Sequence, residues 1–334
     1  MWGHLGKVVK RMANTRELRR RIKSIKNTSQ ITKAMQMVAA TKMRRAQNQA
    51  TSGRPYAENL SEALVRLLPR IDVEAHPLLG GNENGGRVGI VLLSTDKGLV
   101  GALNTNLMRT LANELGTRAS HIVSGNVVSF PKENSPTVYY TVGRKGRAYV
   151  VRTGKDLKAD FENLDIITFR QAKQLSRLLM DAFKAGEIGE AYLVYPHFMS
   201  TLRQEPRKVK LLPIDLESVI PSEQSSRRNL DSIKIATSPS APRNDMVGGN
   251  EFLFEPNADA LLDYLLVHHI EEQIYQALLE TKASEHSARM IAMQNATDNA
   301  LELVDDLTLT YNQTRQASIT TELLEITTAQ IAME

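Results

Sequence analysis

Two groups of side chains have types and spacing that chemistry could use, and neither forms a complete site. The sequence TDKGLVG (95–101) follows an apolar run and precedes an amphipathic segment, which is the layout of a phosphate-binding turn. It lacks GxGxxG, and Lys97 precedes glycine rather than Ser or Thr. His269 and Glu272 share one face of a predicted helix, but two ligands are too few for a metal site. The chain has 0 cysteines, which excludes thiol catalysis and disulfides. We therefore predict no catalytic residue, no metal and no cofactor.

The sequence predicts a long helix at each end of the chain, and these two helices must position the segments between them. Residues 257–334 and 14–52 contain neither glycine nor proline, the residues that most often break helices. Steps of three and four between apolar residues predict one buried stripe on each helix. In the first helix the predicted stripe is Ile22, Ile25, Ile31, Ala34/Met35, Val38 and Met43. In the last helix it is Leu262, Leu266, Ile270, Ile274 and Leu278, then Ala296, Ala300, Leu303, Leu307 and Tyr311.

Charge is segregated between these two helices. Residues 14–54 carry eleven Lys and Arg against one acid, Glu17, whereas residues 257–334 carry three basic against thirteen acidic residues. Opposite net charges favour pairing of the two ends, so we predict an antiparallel coiled coil. Charge becomes sparse from Leu307 on, where only Arg315, Glu322, Glu325 and Glu334 remain.

The middle of the chain has the pattern of an α/β domain. Strands are predicted at 87–94, 121–130, 137–142, 190–198 and 207–214, and helices at 103–115 and 169–186. Breaks at Gly53 and Pro55 predict a separate short helix near 56–68, and 143–150 is interpreted as a basic turn that enters a strand. Alternating strands and helices predict a small open sheet with helices packed on it.

The predicted domain organisation follows from these segments. Residues 1–13 are an expected extension, with translation starting at either Met1 or Met12, and Asn14 or Thr15 caps the first helix. The predicted parts are an N-terminal helix and short following helix at 14–68, a central α/β domain at 87–215 and a C-terminal helix at 257–334. Between the last two, residues 216–256 are rich in Ser, Pro, Asn and Gly and form an expected exposed loop.

The residue patterns described so far are compatible with two functional classes. A nucleic-acid-binding or scaffolding coiled-coil protein would explain the basic first helix and the pI of about 9.3, but no aromatic residue interleaves the basic ones. A nucleotide-using α/β enzyme would bind ATP by itself through the turn at 95–101. No run of 18 apolar residues exists, so no direct insertion into a membrane is expected.

Three long motifs resemble one family. The runs IKSIKNTSQITKAMQMVAATKMRRAQ near the start, LSTDKGLVGALNTNL in the middle and ASEHSARMIAMQNATDNALELVDDLTLTYNQTRQASITTELLEI near the end resemble the gamma subunit of the rotary F-type ATP synthase. The resemblance covers roughly residues 12–215 and 251–334, in the same order. It implies a Rossmann-like central domain without a nucleotide, and a coiled-coil shaft that couples ion flow through the membrane to ATP synthesis and hydrolysis.

The resemblance also implies partners and contact residues. The partners would be three alpha and three beta subunits, an epsilon subunit and the membrane ring of proteolipid subunits, on which a segment near His197–Glu205 would form part of the foot. The location would be the inner (cytoplasmic) face of a bacterial plasma membrane. Implied contacts to the catalytic subunits are Met35, Lys97, Arg315, Gln316, Thr320 and Glu322, none of them catalytic.

Overall fold

The computed structural model describes residues 15–67, 76–79, 86–116, 122–123, 126–127, 136–214 and 258–333. The predicted extension at 1–13, the cap residue Asn14 and the loop at 216–256 lie outside these ranges. The described chain divides into two compact units. We call residues 15–41 and 287–333 the helical unit and residues 42–286 the α/β unit.

Two long helices begin and end the described chain. Helix α1 spans Thr15–Leu67 and helix α5 spans Ala258–Met333. Within the helical unit Thr32 Oγ1 lies 2.7 Å from Thr297 Oγ1, and Gln36 Nε2 donates to Gln294 Oε1 at 3.4 Å. Because the α5 partner number falls as the α1 number rises, the helices are antiparallel, which confirms the predicted pairing. These contacts join uncharged side chains, so the opposite net charges are not what sets the register at these positions.

The buried stripe of α1 in the helical unit differs from the predicted one. Ile31 and Val38 are 60% and 57% exposed, whereas Ser29 and Ala39 are buried. The prediction failed because it counted only apolar residues, whereas this interface also buries small and hydroxyl-bearing side chains. On α5 Leu303 is also exposed, and its neighbour Val304 is buried instead. The other predicted α5 stripe, in the α/β unit, is confirmed as fully buried: Leu262, Leu266, Ile270, Ile274 and Leu278.

The sheet of the α/β unit has five strands in the order β5-β4-β1-β6-β7. Strands β1 (Arg87–Leu93), β4 (Thr137–Val142), β5 (Asp156–Phe161) and β6 (Ile188–Phe198) are parallel, and β7 (Gln204–Leu212) is antiparallel to β6. A separate two-stranded pair joins β2 (Ile122–Val123) and β3 (Asn126–Val127). That pair is the described part of the predicted strand at 121–130.

Helices cover both faces of the sheet, which explains the continuous apolar runs in its strands. On one face Ile90 and Leu92 pack with Leu107 and Leu111 of α2 (Leu103–Gly116) and with Val150 of α3 (Arg144–Arg152). On the other face Val91 and Leu93 belong to a cluster with α4 (Phe169–Lys184), α1 and α5. Residue alternation along β1 thus sends successive side chains into two separate cores.

Three local predictions are wrong for tertiary reasons. Helix α1 continues through Pro55 to Leu67, so the separate helix at 56–68 does not exist. An internal proline costs about 3 kcal/mol, and burial of Leu60, Leu64 and Leu67 offsets it at ~1.5–3 kcal/mol each. The predicted basic turn and strand at 143–150 is helix α3, and β5 was missed because its Asp and Lys residues are poor strand formers.

Candidate functional site

The turn after β1 is hydrogen-bonded to its neighbouring elements and presents Lys97 to solvent; we call residues 95–101 the contact loop. Thr95 Oγ1 donates to the Lys97 carbonyl at 2.8 Å and accepts from Asn104 Nδ2 at 2.8 Å. A carboxylate oxygen of Asp96 accepts the Arg144 main-chain N–H at 2.8 Å. These bonds tie the loop to the starts of α2 and α3, and the Lys97 side chain remains exposed. The loop can therefore offer a fixed positive charge to a partner.

Leu99 is a feature of this loop that the sequence did not reveal. Its φ is 62°, in the left-handed region that costs a non-glycine residue roughly 1–2 kcal/mol, and its side chain is 61% exposed. The following residue, Val100, is buried and anchors the turn. An apolar side chain held outward beside Lys97 is suited to a protein contact. No sequence signal could have found it, since backbone conformation at one leucine is set by the bonds around it.

The other predicted contact residues belong to the helical unit. Met35 is half-buried on α1, while Arg315, Gln316, Thr320 and Glu322 are all exposed on α5. Thr297 pairs with Thr32, so Arg315 lies about 27 Å further along α5 at 1.5 Å per residue. The structure therefore does not bring Met35 together with the α5 residues. They mark two separate positions along the same antiparallel pair.

The last part of α5 exposes a series of apolar side chains. From the Thr32–Thr297 pairing, Thr15 at the start of α1 comes level with about residue 314 of α5, so residues 315–333 extend beyond the described part of α1. Threonine hydroxyls there bond to carbonyls four residues earlier, as from Thr320 to Gln316 at 2.9 Å, which keeps these polar groups satisfied within the helix. The exposed apolar residues of this extension are Ile319, Leu323, Leu324, Ile326 and Ile331.

The His269 and Glu272 pair is a buried packing element of α5. His269 Nε2 lies 2.9 Å from Gln273 Nε2, and burial lowers the pKa of His269 to about 4. Burial also raises the pKa of Glu272. Both shifts disfavour the charged forms. Across the described residues, no group of three or more His, Cys, Asp or Glu side chains is placed to hold a metal ion.

Side chains of α5 lie at the strand ends where α/β sheets usually bind ligands. Strand β1 has β4 on one side and β6 on the other, so the switch in strand order lies between β1 and β6. At the carboxyl end of β6, Ser284 Oγ of α5 donates to the Pro196 carbonyl at 2.9 Å. Nearby, the Lys282 ammonium lies 3.1 Å from Glu285 Oε2, and both side chains are buried. This arrangement leaves the contact loop as an outward surface rather than as the wall of a nucleotide pocket.

No helix among the described residues combines the length and the apolar character that crossing a bilayer requires.

Comparisons with known proteins give one consistent result. The sequence model of the ATP synthase family matches residues 14–333. An ATP synthase gamma chain from Opitutus terrae is 41% identical, over 96% of this chain and 99% of its own length. One from Methylacidiphilum infernorum is 42% identical, over 96% of this chain and 100% of its own length.

Two solved structures with the same fold come from mitochondrial ATP synthases. A chain of the Euglena gracilis enzyme (OSCP/F1/c-ring, rotational state 3) has a TM-score of 0.58 at 21% identity, covering 96% of this chain and 94% of its own. A chain from the central stalk/c-ring of the Tetrahymena thermophila enzyme has a TM-score of 0.51 at 23% identity, covering 80% of this chain and 99% of its own. Taken with the near-full-length match to the bacterial gamma chains, these findings show that the chain belongs to the ATP synthase gamma-chain family.

Proposed function

We propose that this chain is the central rotor shaft of an F-type ATP synthase, coupling ion flow through the membrane ring to conformational cycling of the catalytic beta subunits. The observation that carries the proposal is the match to gamma chains at 41% and 42% identity over 96% of this chain. The antiparallel helix pair, with its exposed apolar end, supports it physically. A protein of this form acts through contacts, so we assign the chemistry to the beta subunits and none to this chain.

The exposed end of α5 is the proposed bearing. Its apolar residues have no partner of the described α1 beside them, and burying a Leu or Ile side chain contributes ~1.5–3 kcal/mol. A surrounding ring of three alpha and three beta subunits would provide that burial. Arg315, Gln316, Thr320 and Glu322 are the proposed polar contacts to the ring. Their exposure makes them available for this role.

Coupling then follows from the asymmetry of the shaft. Two helices of different sequence cannot present the same face to three identical beta subunits, so each beta subunit meets different side chains as the shaft turns. Contacts that differ in free energy between open and closed states shift the population of those states, and nucleotide affinity shifts with them. Met35 on α1 and Lys97 on the contact loop are the proposed side chains through which this bias acts.

The α/β unit is the proposed foot. The fold neighbours are described as parts of a rotor, a central stalk and a c-ring. By analogy we propose that the β6–β7 hairpin, at His197–Glu205, contacts the proteolipid ring and that an epsilon subunit binds the α/β unit. Such a protein would lie peripherally on the inner (cytoplasmic) face of a bacterial plasma membrane.

Reconstitution tests the proposal. Purified alpha and beta subunits are mixed with and without this chain, and assembly and ATP hydrolysis are measured beside the chain alone. We expect the chain alone to be inactive and to convert the mixture into a stable complex that hydrolyses ATP faster. ATP hydrolysis by the chain alone, or failure to join the ring together with salt-sensitive DNA binding, would overturn the proposal in favour of the alternatives.

A further inference from the structure

We propose that Ser94, Asn163, Lys282 and Glu285 form a buried polar latch that holds the contact loop in a fixed orientation on helix α5. All four residues belong to the α/β unit. The consequence for coupling rests on the proposed rotor function, but the latch itself is a statement about this chain alone. It assigns Lys282 and Glu285 a positioning role that neither the family membership nor the contact residues imply.

The latch is a continuous set of hydrogen bonds from α5 to the end of β1. Lys282 Nζ lies 3.1 Å from Glu285 Oε2 and donates to the Asn163 carbonyl at 3.2 Å. The Asn163 side-chain amide donates to Glu285 Oε2 at 3.4 Å and to the Ser94 carbonyl at 2.7 Å. Ser94 is the residue immediately before the contact loop. One asparagine therefore links an ion pair on the helix to the base of the loop.

Ser94 also forms hydrogen bonds that connect the base of the contact loop to the start of α3. Its hydroxyl accepts the Gly146 N–H at 2.8 Å and lies within donating distance of the Val142 carbonyl, at 3.0 Å. The next residue, Thr95, accepts the Lys145 N–H at 3.1 Å, and Asp96 accepts the Arg144 N–H. The loop and the start of α3 thus form one hydrogen-bonded body, and Asn163 fastens that body to α5.

Because the latch is buried, its main effect is to fix the orientation of the loop rather than to add stability. Lys282 is 4% exposed and Glu285 is 3% exposed, and Ser94 is also buried. Ions removed from water are stable only in one geometry that satisfies their charges and hydrogen bonds, whereas apolar side chains tolerate several packings. A leucine pair could fill the same crevice without fixing the angle of the loop. We infer that the ionic latch makes the contact loop turn with α5 instead of yielding under load.

A spin label at the loop tests the latch directly. Because the chain has 0 cysteines, Leu99→Cys creates a single labelling site at an exposed position. The test variants are Glu285→Gln, which removes one charge, and Asn163→Ala, which leaves the Lys282–Glu285 ion pair and removes the side-chain hydrogen bonds of Asn163 to Ser94 and to Glu285. The matched control is Lys158→Met, which breaks the exposed Lys158–Glu187 pair of the same unit. Circular dichroism checks that each variant is folded.

We expect both test variants to increase the mobility of the label, and Lys158→Met to leave it unchanged. In the unlabelled complex we expect each test variant to lower the number of ions pumped per ATP hydrolysed by roughly twofold or more, with Lys282→Arg closer to the native ratio than Glu285→Gln. If Glu285→Gln fails to fold, Asn163→Ala decides alone. An unchanged spectrum in a folded test variant overturns the latch.

The two proposals fail in different ways. A mobile label in the test variants, together with failure of the unlabelled native chain to join alpha and beta subunits, supports the latch and overturns the rotor function. A mobile label in a test variant, together with a native ion-to-ATP ratio in the unlabelled complex of the same variant, overturns the positioning role of Lys282 and Glu285.

Discussion

A single methyl group at Gly143 tests the packing that positions the contact loop. Gly143 precedes α3 with φ at 98°, and a Cβ placed there would lie 2.3 Å from the Ser94 carbonyl oxygen and 2.8 Å from Ser94 Oγ. Both atoms belong to buried hydrogen bonds, so they cannot rotate away as the end of a flexible side chain would. Gly143→Ala must therefore displace the end of β1 or the start of α3.

The expected loss in free energy of unfolding has two parts. With φ at 98° and ψ at 141°, Gly143 lies near a backbone region essentially confined to glycine, where an L residue costs roughly 1–3 kcal/mol. Overpacking against fixed atoms costs roughly 1–3 kcal/mol more, so the sum is about 2–6 kcal/mol. Gly154→Ala is the matched control, because Gly154 has φ at 66° but nothing within 4 Å of its Cβ position. It should lose the backbone part alone, about 1–2 kcal/mol.

Urea denaturation separates the two variants. Near-ultraviolet circular dichroism of the tyrosines, which include Tyr139 and Tyr140 buried in the sheet, follows the loss of tertiary packing. With a slope of roughly 2–3 kcal/mol per molar, Gly143→Ala should move the midpoint down by about 1–2 M and Gly154→Ala by about 0.5 M. Equal midpoints for the two alanine variants would refute the argument that Ser94 blocks a side chain at Gly143.

Three further outcomes are expected. The folded pKa of His269 is lowered to about 4, below its ordinary value of 6.5, so its stabilising contribution is complete above pH 6.5 and is lost as pH falls toward 4. Between pH 6.5 and 4.5 the native chain should lose about 2–3 kcal/mol more of its free energy of unfolding than His269→Gln; parallel urea titrations that coincide would contradict this. Met35→Lys adds a charge to a half-buried position on α1, so it should reduce ion pumping per ATP severalfold more than it reduces assembly, with Met35→Leu as control; equal losses would count against it. Removing residues 323–334 deletes the exposed Leu323, Leu324, Ile326 and Ile331, so it should speed dissociation of the complex while rotation persists, and unchanged complex stability would exclude the bearing role.

Most strands and helices of the α/β unit could be predicted from local sequence patterns. The apolar runs at 87–94, 137–142 and 190–198 are strands, and the amphipathic segments at 103–115 and 169–186 are helices, each within a few residues of the predicted bounds. These predictions succeeded because a fully covered parallel strand and an amphipathic helix each leave a periodic signature in their own residues. Strand β5 was missed although its charged and apolar residues alternate, because the run is short and its Asp and Lys residues are poor strand formers.

Contact residues are harder to find from sequence than core residues. Motif resemblance singled out Lys97 and the α5 residues Arg315, Gln316, Thr320 and Glu322, all of which are exposed. Their contacts stay predictions, because exposure is a condition for binding and not a demonstration of it. Leu99, two residues after Lys97, was not predicted. The sequence LVG does not show that this leucine has a left-handed backbone conformation and an exposed side chain.

By itself the sequence determined that two glycine- and proline-free ends form long antiparallel helices, that an α/β domain separates them, and that cysteine chemistry is absent. Tertiary structure alone decided that α1 continues through Pro55, that 144–152 is a helix, and that Lys282 and Glu285 lie buried at the end of the sheet. The physical reason is the range of the interactions. Periodicity and chain breaks act within one turn of helix or one strand, whereas the Asn163 amide, the Ser94 carbonyl and the α5 ion pair meet only after distant segments have packed.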